Sequence, residues 1–558
     1  MSKRYSTIKN VVPFIVVAII FSLFTACSSP ASSNSSDLLD VANVSGYKAY
    51  DQITFTALEG IVNKSGTKIY LEGFPSNSGT PVAESDEFWL NHIVNLPFRR
   101  VAPLNLISQF RSDIKGLIIW DPSMIVDTEN IATTLSGIKS ALPVSPSMAK
   151  VLEQSPYNLP VLMDLRNNHF TSRLEAYTWA ANYVKPFMSE IKFPVWIGDN
   201  TGDGKGGQST LRDWITANDG FAFEANPSTD VAVINLVLGM FPKDTPVYGY
   251  IFFADAQYLK TGIAVLESVG VSEISRAGDY LIPSDTFDNL SLLHQLKTNV
   301  DFSPKWNSSP QTPDKSTVYV TFVLTDGDSL AQDGAFLLVH QWLSPDRGKY
   351  PMGVSISANL ASLAPTMYAY YLKTATPNDV FVGGPSGAGY AYPSQMPNLD
   401  EYLSLSKQRL DQAGLKSVWI LDNGYLSSPS PATISAYKQI VNPEAIFTDY
   451  DNFTGGYLTT PNPPAISFAG STPVVHDVFG IATGQDINAI RATAQQAGGK
   501  PAFVFIGLDT WNSSYAQEAE IIKQLGPGYQ VVAPDKFMGL ILGARSLNEI
   551  TAPQLAGP

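Results

Sequence analysis

The chain has 558 residues, of which 44% are hydrophobic, 15% charged and 11% aromatic, and its formal net charge is −14. That length exceeds a single hydrophobic core and implies roughly three folding units. An acidic chain without a run of Lys and Arg has no electrostatic footing for a nucleic acid, so that class of partner is set aside.

In chain order, MSKRYSTIKN is basic and VVPFIVVAIIFSLF behind it is apolar, with a length that suits a signal peptide and is short for a membrane span. FTACSS then puts small residues ahead of Cys27, the single cysteine of the chain. A lone cysteine forms no internal disulfide. In this setting it reads as the lipidated residue of a bacterial lipobox. The expectation is a lipoprotein signal peptide over 1–26, a Ser-rich tether over 27–40, and an exported protein held at the cell envelope by a lipid on Cys27.

Residues 41–305 alternate short apolar runs with amphipathic ones. TKIYLEG (67–73), KGLIIWD (115–121), PVLMDLR (160–166), AVINLVLGM (232–240) and VYGYIFF (247–253) read as buried strands, and ENIATTLSGIKSAL (129–142) reads as helical. This pattern predicts an N-terminal α/β, Rossmann-like region, divisible into two subdomains near 166–200. Within it, DNTGDGKGGQST (199–210) sets Asp199, Thr201, Asp203 and Gly204 at calcium-loop spacing. Its twelfth position is Thr210 where a bidentate Glu is needed, so it reads as a glycine-rich surface loop. DFSPKWNSSPQTPDKS (301–316) reads as the linker to the second half.

Residues 317–545 carry eight predicted strands: VYVTFVLTD (318–326), YPMGVSIS (350–357), DVFVGG (379–384), SVWILD (417–422), AIFTDY (445–450), PVVHDVF (473–479), PAFVFIGLD (501–509) and YQVVAPD (529–535). Helical segments such as YLSLSKQRLDQAG (402–414) and NAIRATAQQAG (488–498) separate most of them. The spacing predicts a C-terminal (β/α) barrel-like domain, with an open doubly wound sheet as the alternative.

In a barrel the working face is the C-terminal edge of the strands. That edge carries Asp326 and Asp328, Asp422, Asp449, His476 beside Asp477, and Asp509 near Trp511. Any one of these acids could simply cap a helix or shape a turn. As a set, each following an apolar run, they point to a shared site in which partly desolvated carboxylates have movable pKa values. Asp326, Asp328, Asp422, Asp449 and Asp509 are the candidate acid and base groups. Glycosidic cleavage needs two such groups, ~5 Å apart for retention and ~6.5–9.5 Å for inversion. His476 and Trp511 are candidate substrate contacts.

FVGGPSGAGYAYP (381–393) follows the third of these strands. It lacks GK[ST] and a following helix start, so it is no phosphate loop. Its glycines imply a tightly folded backbone. Tyr390 and Tyr392 would then offer flat faces and hydroxyls to a sugar, or plug the barrel top.

GAGYAYP (387–393) resembles the signature of the GxGYxYP putative glycoside hydrolase family, without departure at any of the seven positions. TDGDSL (325–330), VVAPDKFMGL (531–540), LEGIVNKSGTKIYL (58–71), NIATTLSGIKSALPVSP (130–146) and FDNLSLL (287–293) extend the resemblance over most of the chain. The resemblance implies an envelope protein acting on carbohydrate, and it marks Gly387, Gly389, Tyr390, Tyr392 and Pro393 together with Asp326 and Asp328. The other site residues rest on strand-end position alone. No cofactor or metal belongs to this reading.

Two alternatives remain. TDGD at a first strand end is similar to the acidic pair of polysaccharide deacetylases, and a metal-dependent deacetylase-like site would draw on Asp326, Asp328 and His476. None of the five His forms HxxxH, however, and no GxSxG elbow is present. A non-catalytic glycan-binding lipoprotein would keep the aromatic platform without a facing carboxylate pair.

Overall fold

The computed structural model describes residues 38–75, 82–198, 207–251, 265–303, 305–327, 329–422, 428–448, 465–477, 486–497, 501–511, 513–550 and 552–555. Cys27 with the leader, Asp328 and Asp449 lie outside them.

Three small parallel sheets follow one another in the N-terminal half. The first comprises β1 (Leu39–Asn43), β2 (Ile69–Glu72) and β3 (Phe98–Arg100), in the order β2-β1-β3. The second comprises β4 (Gly116–Ile119), β5 (Ala141–Val144) and β6 (Val161–Asp164), in the order β5-β4-β6. The third comprises β7 (Pro194–Trp196), β8 (Phe221–Phe223), β9 (Pro246–Gly249) and β10 (Tyr280–Pro283), in the order β10-β9-β7-β8. Parallel pairing demands crossovers, and helices such as Ala49–Asn63 supply them. This helix is buried from Gln52 to Asn63. It admits the helix Arg212–Asn218 so closely that a Cβ on Gly60 would stand 2.3 Å from the Asp213 carbonyl oxygen.

AVINLVLGM is not a strand. Val231–Leu238 is helical, with Val233, Ile234, Val237 and Leu238 buried on one face and Val231 exposed. A short apolar run carries no period that separates a strand from one buried helix face. The 199–210 segment also departs from a surface loop where it is described: Gly207 donates its N–H to Glu129 Oε2 at 2.6 Å, and Gln208, Ser209 and Thr210 are buried.

The C-terminal half is one curled sheet of β11 (Val318–Leu324), β12 (Met352–Ile356), β13 (Asp379–Gly383), β14 (Ser417–Ile420), β15 (Ala445–Thr448), β16 (Ile466–Ala469), β17 (Thr472–His476), β18 (Ala502–Leu508) and β19 (Tyr529–Val531). The order is β16-β17-β15-β14-β13-β12-β11-β18, with β19 beside the first residues of β11. Only β16 runs antiparallel to its neighbour among the described strands. Apart from β16, the strands advance in chain order and β18 returns to β11, which is the progression of a barrel left open between its edge strands β16 and β18.

Ring contacts prove the curl. Trp419 on β14 and Phe447 on β15 meet Phe505 on β18 at centroid distances of 5.3 and 5.0 Å, although β11 to β13 lie between β14 and β18 in the sheet. Tyr319, Val323, Trp419, Phe447, Val475, Phe503 and Phe505 therefore fill the concave side, and Val320, Phe322, Val418, Ile420, Val474, Val504 and Ile506 pack in the helix-covered core. The predicted barrel-like α/β fold is the fold observed. The 301–316 linker lies along the last helix, Pro534–Ser546: Gln311 donates to the Gly539 carbonyl at 2.9 Å, and a Cβ on Gly543 would fall 1.8 Å from Gln311 O.

Candidate functional site

The signature loop leaves β13 and is tied down along its backbone. Gly387 has φ +123, and a Cβ there would meet the Ser406 side chain at 2.7 Å. Ser406 Oγ accepts the Ala388 N–H at 3.0 Å, Asn359 Nδ2 donates to the Ala388 carbonyl at 2.6 Å, and Tyr402 donates its hydroxyl to the Gly389 carbonyl at 2.9 Å. Gly389 is small because the other half of the molecule arrives there. A Cβ would stand 2.6 Å from Leu281 O and 2.7 Å from Tyr280 Cδ2. Next to it, Tyr390 and Leu281 of β10 exchange two backbone hydrogen bonds of 2.8 Å in an antiparallel bridge. Ser275 Oγ accepts the Tyr392 N–H at 2.8 Å.

The two tyrosine rings lie inside this junction. Tyr390 is 4% exposed and Tyr392 1%, their hydroxyls are 3.3 Å apart, and burial pushes the Tyr392 hydroxyl pKa up. Neither ring has an open face for a sugar in this structure. The glycines serve close backbone approach, and the tyrosines serve the contact between the halves.

The strand-end acids divide by the pleat. Gly507 of β18 is on the concave side, where a Cβ would lie 2.6 Å from Asp477 Oδ2 and 2.8 Å from Trp419. The Asp477 carboxylate, just beyond β17, thus reaches across the concave side to β18. Asp509 follows two residues after Gly507, and pairing with β11 continues through Thr325 N–H to Leu508 O (2.9 Å) and Thr510 N–H to Thr325 Oγ1 (3.3 Å). Asp509 consequently keeps the concave parity of Phe503, Phe505 and Gly507. Its Oδ1 accepts the Trp511 N–H at 2.9 Å. Trp511 is 37% exposed and packs against Phe336 in a tilted arrangement, 4.5 Å between ring centroids.

The remaining candidates sit differently. His476 has the opposite parity to Asp477; it is 3% exposed, with Nδ1 2.5 Å from Thr448 Oγ1 and Nε2 3.3 Å from Ser467 Oγ. Asp422 is 2% exposed and accepts both the N–H and the hydroxyl of Ser394, at 3.2 and 2.8 Å, at the exit of the signature loop. Asp326 is half-buried with φ +62, two residues beyond the end of β11, so the extension that would align it with Asp328 is already broken. Gly327 permits the bend, since a Cβ there would overlap Ser355 C at 2.1 Å. Among the described residues no three His, Cys, Asp or Glu side chains stand together as metal ligands.

The comparisons with known proteins follow this architecture. The family model described as "GxGYxYP putative glycoside hydrolase C-terminal domain" matches residues 316–542, and the second and third N-terminal domains of the same family match 114–187 and 199–295. The chain belongs to the GxGYxYP family. No curated protein matches it. A crystal structure described as a putative hydrolase from Bacteroides thetaiotaomicron VPI-5482 shares the fold, with 22% identity and a TM-score of 0.74 over 90% of this chain and 94% of that one. A crystal structure described as a putative polysaccharide deacetylase from Mycobacterium smegmatis has 12% identity and a TM-score of 0.29 over 45% of this chain and 98% of that one, too loose a match to bear on the site.

Of the groups at this GxGYxYP site, Glu267 escaped the sequence reading, and Asp477 was read only as the neighbour of His476, because the facing side is set by register. Glu267, on the helix Val265–Ala277, accepts the Tyr250 hydroxyl and joins Asp422 in raising the Tyr392 pKa. Nothing in its local sequence distinguishes it from a solvated helix residue.

Proposed function

We propose that this protein is a glycoside hydrolase that cuts a glycan at the C-terminal edge of the open barrel, with Asp477 and Asp509 as the carboxyl pair. One observation carries the reading: the Asp477 carboxylate crosses to Gly507, two residues before Asp509 on the same face. Same-face neighbours on a strand are ~7 Å apart, so two flexible carboxylates so rooted meet at roughly 5–9 Å, the range that glycosidic cleavage uses. One group protonates the leaving oxygen and the other acts as nucleophile or as base for water. Trp511, exposed and adjacent, provides the ring face for a sugar. Asp326, two residues beyond the end of β11, the strand next to β18, is assigned to accept sugar hydroxyls. The family description supports carbohydrate as the substrate class. The leader reading adds an envelope position with the lipid on Cys27.

The test is release of reducing ends from a broad glycan panel, with binding to the same glycans measured in parallel. Hydrolysis by the parent, lost in Asp509→Asn with binding retained, supports the assignment. Glycans bound by the parent but never cut, with or without added divalent metal, would replace it with the glycan-binding reading.

A further inference from the structure

Away from the barrel edge, four carboxyl groups meet where the first and third sheets join. They are Glu59 on the helix Ala49–Asn63, Asp86 on the helix Val82–Trp89, Asp213 on Arg212–Asn218, and Asp288 just before Leu290–Leu293. Their relative exposures are 0%, 1%, 0% and 9%. Asn289 welds the last segment to β2, accepting the Leu71 N–H at 2.7 Å and donating to the Leu71 carbonyl at 2.9 Å. The carboxyl groups of Asp86 and Asp288 lie within hydrogen-bond reach of each other. Both oxygens of Glu59, and one each of Asp86, Asp213 and Asp288, find no N–H or O–H donor among the described residues. A buried carboxylate without a donor is costly, and two carboxyls in contact need a proton between them.

The pair joins two arms that close on one residue. Trp89, three residues after Asp86, donates its indole N–H to the Gly334 carbonyl at 2.5 Å. Phe287, next to Asp288, lays its ring over the same glycine, where a Cβ would meet Phe287 Cε2 at 2.7 Å. Gly334 lies on the helix Gln332–Trp342, which begins directly behind the TDGDSL segment. Its Asp333 accepts the Ser357 N–H at 3.0 Å from beyond the end of β12.

We propose that Asp86 and Asp288 form a proton-held clasp. While they share a proton, Trp89 and Phe287 stay closed on Gly334. When the proton leaves to solvent, two adjacent buried anions repel, the arms part, and the helix backing the acidic segment loosens. The groups facing the pair deepen the effect: Glu59 from its helix, Tyr70 and Glu72 from β2, and Asp213 from its helix. Glu72 is ion-paired with Arg100.

Burial first, then the neighbouring carboxyls, raises Asp86 and Glu59 well above the carboxylate range; burial also raises Asp288, and it brings Asp213 to about 6. A folded-state pKa above the unfolded ~4 means the stabilisation is complete below that value and is lost as pH rises through the folded value.

The experiment is hydrogen–deuterium exchange of the whole protein at pH of about 5.5 and 8.5, corrected for intrinsic rates. It does not depend on the enzymatic reading, because no activity is measured. The parent is expected to lose roughly tenfold or more protection over residues 332–342 at the higher pH, and Asp288→Asn or Asp86→Asn less than about threefold. Unchanged protection in the parent, or the same loss in both variants, overturns the clasp. The parent measurement decides even if a variant fails to fold.

Discussion

The signature loop and the β17–β18 rim share one edge of one barrel and are built in opposite ways. In the loop, buried side chains tie down the backbone and the tyrosine rings are covered. At the rim, Asp477 and Asp509 are buried too, at 3% and 2% exposure, but take the concave side of the strands, and Trp511 beside them is 37% exposed. The contrast teaches that the most recognisable motif of a chain can be a joint: Gly389 exists because Leu281 and Tyr280 come too close for a Cβ. The reactive groups are then sought among residues without a signature.

The comparison can be broken from either side. The largest effect is expected at the rim, where Asp509→Asn should cut glycan hydrolysis by ~10²–10⁴-fold with little change in denaturant midpoint. Gly507→Ala, which crowds Asp477 and Trp419, should cost about 1–3 kcal/mol in urea unfolding and lower activity with it. Gly389→Ala should cost a similar ~1–3 kcal/mol by parting the halves at Leu281, but the residual folded protein should keep its affinity for glycan. Trp511→Ala should weaken glycan binding by about 0.5–1.5 kcal/mol in calorimetry and leave stability nearly unchanged. The smallest effect is expected from Tyr392→Phe, which removes one hydroxyl contact for about 0.5–1.5 kcal/mol of stability and no loss of binding. A Tyr392→Phe protein that stays stable but no longer binds glycan would move the sugar contact back to the signature loop.

The barrel strands were legible because each is a short apolar run set off by turn or helical segments, and all eight predicted segments overlap an observed strand. The short strands β7 and β8, three residues each, offer too little alternation to read. Site membership was harder. Asp477 and His476 are neighbours in sequence and fall on opposite sides of the pleat, which only the pairing of β17 with β15 and the curl toward β18 decide. Tyr390 looks like a displayed ring until Leu281, over one hundred residues earlier, pairs with it. The Asp86–Asp288 contact joins carboxyls about two hundred residues apart, and no local pattern announces it.

The most direct test sets an inner acid against an outer one: hydrolysis of the glycan panel by Asp477→Asn beside Asp422→Asn. The account predicts a loss of at least ~10²-fold for Asp477→Asn, with Asp422→Asn within about tenfold of the parent. A dead Asp422→Asn beside a fully active Asp477→Asn would contradict it and place the chemistry under the signature loop.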